Sequence, residues 1–388
     1  MNKLNFLFCN CTTIFISCCL GINIASGAIA QPANLLEIDR SDPLIPEGYG
    51  KRELSSFEKY RLQKKIVELD KAAKDELDKG NVSLARELWY RQLRLVRIIN
   101  TRAEIKALGK IGAIAWKENL TDDVRNIARR LGEIQTAKTK DKNTAFELLN
   151  DLATAYKSVR YIDKAIDVYE QISLDKTNKA NKDKIAERLG ELYLDIFDYD
   201  RAAKTYQQQL KDNIAPEQQE TILKTLAQIY NRTEQFKRAI AIKQQLTEYY
   251  ISKKQPKKVP AITIAIAQDY EASKQVPKAI SVYQQAFNTA LENTQLAIAS
   301  EALAQMGKLQ QEKNTKQAIA TYKKLITVQQ QAYNYYGLTD TYDTLGAIYL
   351  KSNNPNKAKQ FFQQGLDIAV TLDYKVQYFR DRLKSIDP

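Results

Sequence analysis

Eight times along this chain a small residue recurs about 40 positions after the last one: Ala85, Val124, Ala165, Ala202, Ala239, Ala279, Ala318 and Ala358. Each follows a second small residue, namely Ala73, Gly112, Ala153, Gly190, Ala227, Ala267, Gly307 and Gly346. The gap is 12 positions in every pair but the one that starts at Gly307, where it is 11. Helix axes approach closely only where the side chains between them are short, so two registered columns of small residues predict a stack of helical hairpins. A length of 388 residues would by itself suggest two or three globular domains. The period overrides that expectation, because repeats that touch only their neighbours build one continuous body of any length.

One unit shows the local logic. Leu149, Leu152, Ala153 and Tyr156 share a face of a first helix, a turn follows at 160–163, and Ala165, Tyr169 and Ile172 share a face of a second. The pattern returns as Leu189, Gly190, Tyr193, Ala202, Tyr206, then as Leu226, Ala227, Tyr230, Ala239, and late in the chain as Leu345, Gly346, Tyr349, Ala358, Phe362. Polar groups such as Lys79-Gly80-Asn81 and Ser352-Asn353-Asn354-Pro355 punctuate the helices. No alternating apolar run flanked by hairpin turns occurs, so no sheet is expected.

These residues resemble the tetratricopeptide repeat, whose pattern is Leu-Gly, Tyr three on, Ala nine on, an aromatic four on, then Pro. The resemblance spans roughly residues 57–386 and departs from the family in defined places. The anchors are spaced 39, 41, 37, 37, 40, 39 and 40 apart rather than 34, and the closing Pro is mostly missing. Glu76 and Ala115 stand where the first two units should have Tyr, Lys243 stands where an aromatic is expected, and the unit at Gly307 has a turn one residue shorter. The implied fold is all-α: a superhelical solenoid of about eight antiparallel helical hairpins with a C-terminal capping helix. The expected organisation is a signal peptide at 1–30, an extended leader or linker at 31–54, the hairpin array at 55–370, and a capping helix and tail at 371–388. Ser55, with Glu58 close behind it, is the expected N-terminal cap of the first helix.

The amino terminus predicts export. Lys3 is the only charge before Glu37, an apolar stretch runs over 14–30, and Ala28-Ile29-Ala30 precedes Gln31-Pro32 as a small-x-small cleavage pattern. Two alternatives stand beside cleavage after Ala30: a lipoprotein-type box at Cys18, and retention of residues 4–30 as a membrane anchor. The expected location is the periplasm or another extracytoplasmic compartment. All four cysteines, Cys9, Cys11, Cys18 and Cys19, lie in this segment, and the chain has no histidine. The rest of the chain therefore lacks a thiol nucleophile, an imidazole base and a Cys/His metal site. No phosphate-cradling glycine loop and no distinctive carboxylate pair appears either. The chain is read as no enzyme, with no cofactor and no metal.

Charge narrows the partner. Of the net charge of +13, residues 51–140 supply +9, from 22 basic and 13 acidic residues. An exported protein does not meet chromosomal DNA, so the basic excess points to an acidic or extended protein segment, an anionic glycan or an anionic lipid surface, with no nucleic acid. The family resemblance implies that the first helix of each hairpin forms the concave wall. The candidate groove residues are Lys71, Lys74, Lys106, Lys110, Trp116, Lys117 and Lys157, with Asn150 and Thr154 beside the last. The wall continues through Lys184, Glu187, Glu191 and Asp195, then Lys224, Gln228, Asn231 and Arg232, and then Gln268 and Glu271. The Lys/Asn/Arg clamp of the chaperone-binding members is not found in register. Trp116 reads equally as a peptide anchor and as a packing residue, whereas Trp89, at an aromatic repeat position, reads as packing. Most of the 22 tyrosines sit at repeat positions and read as core. The functional expectation is an exported protein-interaction adaptor. The alternative is an envelope-associated structural protein whose basic first hairpins rest on anionic lipid or wall polymer.

Overall fold

The computed structural model describes residues 35–138, 146–174, 181–212 and 215–386, so the expected signal at 1–30 lies outside the described residues. Helix follows helix: α1 (Ser56–Asp78), α2 (Val82–Ile99), α3 (Thr101–Lys117), α4 (Thr121–Lys138), α5 (Phe146–Ser158), α6 (Ile162–Leu174), α7 (Lys182–Asp195), α8 (Tyr199–Lys211), α9 (Pro216–Arg232), α10 (Phe236–Ser252), α11 (Val259–Ala272), α12 (Val276–Glu292), α13 (Leu296–Lys313), α14 (Thr315–Gln331), α15 (Tyr335–Lys351), α16 (Pro355–Leu372) and α17 (Val376–Lys384). Among the described residues the only β feature is an isolated bridge between Tyr49 and Arg52. The fold is an all-α solenoid of helical hairpins: successive helices pair as α1–α2, α5–α6, α7–α8, α9–α10, α11–α12, α13–α14 and α15–α16, and α17 packs on α16. The chain divides into two compact units, Met1–Ala107 and Leu108–Pro388, with the boundary inside α3.

In the first unit α1 and α2 close on Leu62, Ile66, Leu95, Val96 and Ile98. Ser55 caps α1 through a capping box: its side chain accepts from the Glu58 N–H while the Glu58 carboxylate accepts from the Ser55 N–H. Residues 35–54, read from the sequence as an extended leader or linker, run as successive turns packed on this hairpin. Ile38, Leu44, Ile45 and Tyr49 lie against the cluster that holds Leu54. Arg91 donates two hydrogen bonds to the Asp42 carboxylate, at 2.8 and 2.9 Å, and holds it below the usual carboxylate range. Arg94 donates to the Leu35 carbonyl and Arg97 to the Leu36 carbonyl.

The second unit stacks hairpin on hairpin, α5–α6, α7–α8, α9–α10, α11–α12, α13–α14 and α15–α16, each second helix packing on the next hairpin's first. Two features fix the repeat. The small anchor of the first helix receives an aromatic ring from the second: a Cβ on Gly190, Gly307 or Gly346 would meet Tyr206, Tyr322 or Phe362 at 2.6, 2.9 and 2.5 Å. Seven positions after each anchor the chain takes the left-handed conformation, at Gly80, Asn119, Arg160, Phe197, Glu234, Lys274 and Asn353. This lets the next N–H reach back five residues and close the helix end, as Asp198 N–H does to the Tyr193 carbonyl. The exception is the shortened turn after Gly307, where Asn314 has φ −151° and caps α14 directly.

Lys243, in place of the expected aromatic, is buried. Its ammonium donates to Asp269 at 2.6 Å and to the Ala265 carbonyl at 3.1 Å, tying α10 to the following hairpin. Burial pushes the Asp269 carboxyl up, against the pull of Lys243. At the far end, residues 370–372 complete α16, and α17 buries Phe379 against Gly365. No helix among the described residues is long and apolar enough to cross a membrane.

Candidate functional site

A concavity of the second unit lies between α7 and α9, the first helices of consecutive hairpins. Along α9, Gln218, Thr221, Thr225, Ile229 and Arg232 recur at intervals of three and four and so share one face. Along α7, Glu187, Glu191 and Leu194 do the same. Two clefts of about 240 Å³ each lie between these faces and share Thr225 as a wall. They form two halves of one groove.

The halves differ in chemistry. The half near the start of α9 is walled by Glu187, Glu191 and Glu217, with Tyr206 and Gln209 from α8 beneath. Tyr206 reaches this position because Gly190 leaves room for its ring. Burial, with Glu191 and Glu187 nearby, pushes its hydroxyl up to about 12, so it stays protonated at neutral pH. Gln209 is 4% exposed and donates through Nε2 to the Asp183 carbonyl, while its Oε1 has no partner among the described residues. Glu191 is already engaged, by Arg188 at 3.0 Å and Lys157 at 3.9 Å. Glu187 and Glu217 form no ion pair among the described residues.

The other half is lined by Leu194, Phe197, Tyr199, Gln228, Ile229 and Arg232. Phe197 is 71% exposed and holds φ +60° in the turn between α7 and α8. That conformation crowds any side chain with a Cβ, and a bulky one most. Its ring meets Tyr199 edge-on, with centroids 6.4 Å apart. Arg232, on the last turn of α9, finds no carboxylate among the described residues. An aromatic held out to solvent in a costly backbone conformation, beside an aliphatic floor and an unpaired guanidinium, is equipped to take an apolar side chain next to a negative charge.

Residues 186–218, which make one wall of this groove and most of its floor, match a tetratricopeptide-repeat family model, and residues 339–369, over α15 and α16, match a second. These two stretches are tetratricopeptide-repeat-like. No relative among the curated proteins matches the sequence of this chain. Among solved structures it is similar to the C-terminal part of a repeat-containing protein from Cytophaga hutchinsonii, at 18% identity over 71% of this chain and 99% of that one, with a TM-score of 0.42. It is also similar to a signal-transduction ATPase with a tetratricopeptide-repeat sensor from Pyrococcus horikoshii, at 16% identity and a TM-score of 0.41. That match covers 87% of this chain and 50% of the ATPase chain. A tetratricopeptide-repeat protein from Parabacteroides merdae matches at 14% identity over 83% of this chain and 99% of that one, with a TM-score of 0.33. No functional property passes from these structures to this repeat protein.

The residues expected from sequence are distributed over both units. Lys71, Lys74 and Lys106 are exposed in the first, Lys74 pairing with Asp70 at 3.1 Å. Lys110, Trp116, Lys117 and Lys157 belong to the second. Lys110 and Lys117 are exposed and seven residues apart on nearly the same face of α3, with Trp116 about a quarter-turn away and 51% exposed. Lys157 is bridged to Asp195 at 2.9 Å, so its charge ties α5 to α7. Trp89 is 2% exposed and packs in the core. Tyr333, Tyr335 and Tyr336 are exposed, and Tyr336 meets Tyr374 edge-on. Of the wall residues expected on α7 and α9, Glu187, Glu191, Gln228 and Arg232 line these clefts, and Lys184, Asp195, Lys224 and Asn231 do not. Phe197, Tyr199, Tyr206 and Gln209 also line them but lie in the α7–α8 turn and on α8, outside the first-helix positions from which the wall is expected. Phe197 had one legible signal: it is the large apolar residue at an offset where most other units carry Gly, Asn or a charged side chain.

Proposed function

We propose that this protein is an interaction scaffold, with no reaction of its own, that holds an extended segment of a partner protein along the groove between α7 and α9. Tetratricopeptide repeats support protein interaction in general, and the observation that supports this particular site is Phe197. The left-handed turn itself closes α7 as it closes the other first helices, but a ring 71% exposed at that position costs stability and does not serve the packing of the stack. Thr225→Trp fills the shared wall of both clefts from a half-buried position on α9. A partner recovered on the native chain and lost on this variant supports the groove, and equal recovery on both overturns it.

We propose further that the chain acts outside the cytoplasm, on the strength of Lys3, the apolar run at 14–30 and the Ala28-Ile29-Ala30 pattern. Lys106, Lys110, Trp116 and Lys117 are proposed as contacts for acidic stretches of the same partner. Replacing all four with Ala is expected to weaken capture without changing helicity.

A second reading is favoured by the face of α1. Phe57, Tyr60, Lys64, Val67, Lys71 and Lys74 follow one another at intervals of three and four, all exposed. Aromatic and aliphatic side chains interleaved with lysines suit an anionic lipid surface. Salt-sensitive binding to phosphatidylglycerol vesicles that is lost in Tyr60→Ser/Val67→Ser supports this reading, and binding independent of lipid charge counts against it.

A further inference from the structure

The two halves of the α7–α9 groove carry opposite electrostatic character, and this constrains what lies in it. We propose, resting on the scaffold reading above, that the bound segment carries a basic side chain in the Glu187/Glu217 half. About five residues along, it carries a carboxylate on Arg232, with an apolar side chain beside that carboxylate against Phe197 and Leu194.

The spacing follows from the helix. From Thr221 to Arg232 α9 advances 11 residues, or about 16 Å at about 1.5 Å per residue. An extended chain covers that distance in about five residues at roughly 3.3 Å each. The charges follow from what each half leaves unmatched. Glu191 is satisfied within the protein by Arg188 and Lys157, whereas Glu187 and Glu217 face the cleft without an ion pair among the described residues. Gln209 lines the same half, its Nε2 donating to the Asp183 carbonyl while its buried Oε1 has no donor among the described residues. Three carboxylates and an unmatched acceptor suit a lysine or arginine and disfavour an acid. At the other end an unpaired guanidinium beside an aromatic and an aliphatic wall suits an apolar residue followed by a carboxylate. An acidic segment, the expectation from net charge, fits one half of this groove and is repelled by the other.

The test is a set of double-mutant cycles between protein and peptide, read by fluorescence anisotropy on the full chain. The probe is a labelled hexapeptide, acetyl-Arg-Ala-Ala-Ala-Leu-Glu-amide, with versions in which Arg or Glu is replaced by Gln. The protein variants are Glu187→Gln/Glu217→Gln and Arg232→Gln, all at exposed positions, with far-UV circular dichroism and thermal midpoints as folding controls. Replacing the peptide Arg is expected to weaken binding to the native chain about tenfold, and to have no further effect on the double Gln variant. Replacing the peptide Glu is expected to do the same against Arg232→Gln, with no coupling between the crossed pairs. Coupling absent or crossed, or no saturable binding of the parent peptide, overturns the proposal. Equal binding of all three peptides that is lost in Thr225→Trp would leave the scaffold standing and remove only the polarity assigned to it.

Discussion

Phe197 and Lys243 are two residues whose placement runs against the ordinary preferences of their side chains, and each gives a test. Phe197 sits in a left-handed turn that costs a residue with a Cβ roughly 1–2 kcal/mol. Phe197→Gly relieves that strain, though Gly gives some of it back through the freedom of its unfolded chain. The expected outcome is unchanged stability or a gain of up to about 1 kcal/mol by urea unfolding, together with weaker partner capture. A large loss of stability would mean that the ring holds the stack together and is no binding anchor. Lys243 and Asp269 are a buried pair 2.6 Å apart. Asp269→Asn strands an ammonium in the core and is expected to cost about 3–5 kcal/mol. The double variant Lys243→Met/Asp269→Leu removes both charges and is expected to come within about 1 kcal/mol of the native chain. Equal losses in the two variants would refute this account. The sequence showed Lys243 as a departure from the repeat but not its partner, because Asp269 lies 26 positions on, in the next hairpin, where no single-unit pattern looks.

At the scale of elements, the columns of small residues were legible because close helix approach leaves no alternative to them. What they receive was not, since the ring that fills the gap at Gly190, Gly307 and Gly346 comes from a position 15 or 16 residues later on the partner helix. The identity of the filler predicts opposite signs for two chemically identical substitutions. Gly346→Ala drives a methyl to 2.5 Å from Phe362, a fully buried ring with nowhere to move, and is expected to cost about 1–3 kcal/mol. Gly132, inside α4, has only the Tyr156 hydroxyl near it, at an ordinary 3.7 Å. Gly132→Ala is therefore expected to stabilise by about 0.5–1 kcal/mol through helix propensity alone. Urea midpoints of the two variants decide the matter: a gain in both would show that propensity outweighs the ring contact, and a loss in both would show that Gly132 is crowded as well. The leader illustrates the converse. Its Pro and Gly content correctly excludes helix, yet composition is silent on docking. Asp42 meets Arg91 across 49 positions, and no local pattern records that pairing.

For the molecule as a whole, a stack in which each hairpin touches only its neighbours should lose stability locally when its end is removed. The second unit offers a clean case. α17 contributes the buried Phe379 ring to Gly365, and Arg382 lies over Phe362 at 5.0 Å, so α16 depends on α17 for one of its faces. Tyr378 donates to Asp343 at 2.9 Å and Lys375 to Asp340 at 2.7 Å, which carries the dependence on to α15. Truncation after Leu372 strips these contacts and exposes Gly365 and Ala369 to water. Loss of a buried Phe alone is worth about 3–5 kcal/mol, enough to fray the last hairpin of a marginally stable array. Hydrogen exchange is expected to accelerate through α15 and α16 and to decline in effect through α13 and α14. Protection in α7–α10, and with it the groove, should be retained. If exchange rose uniformly across the second unit instead, the array would unfold as one cooperative body, and substitutions at its far end would then weaken the groove as well.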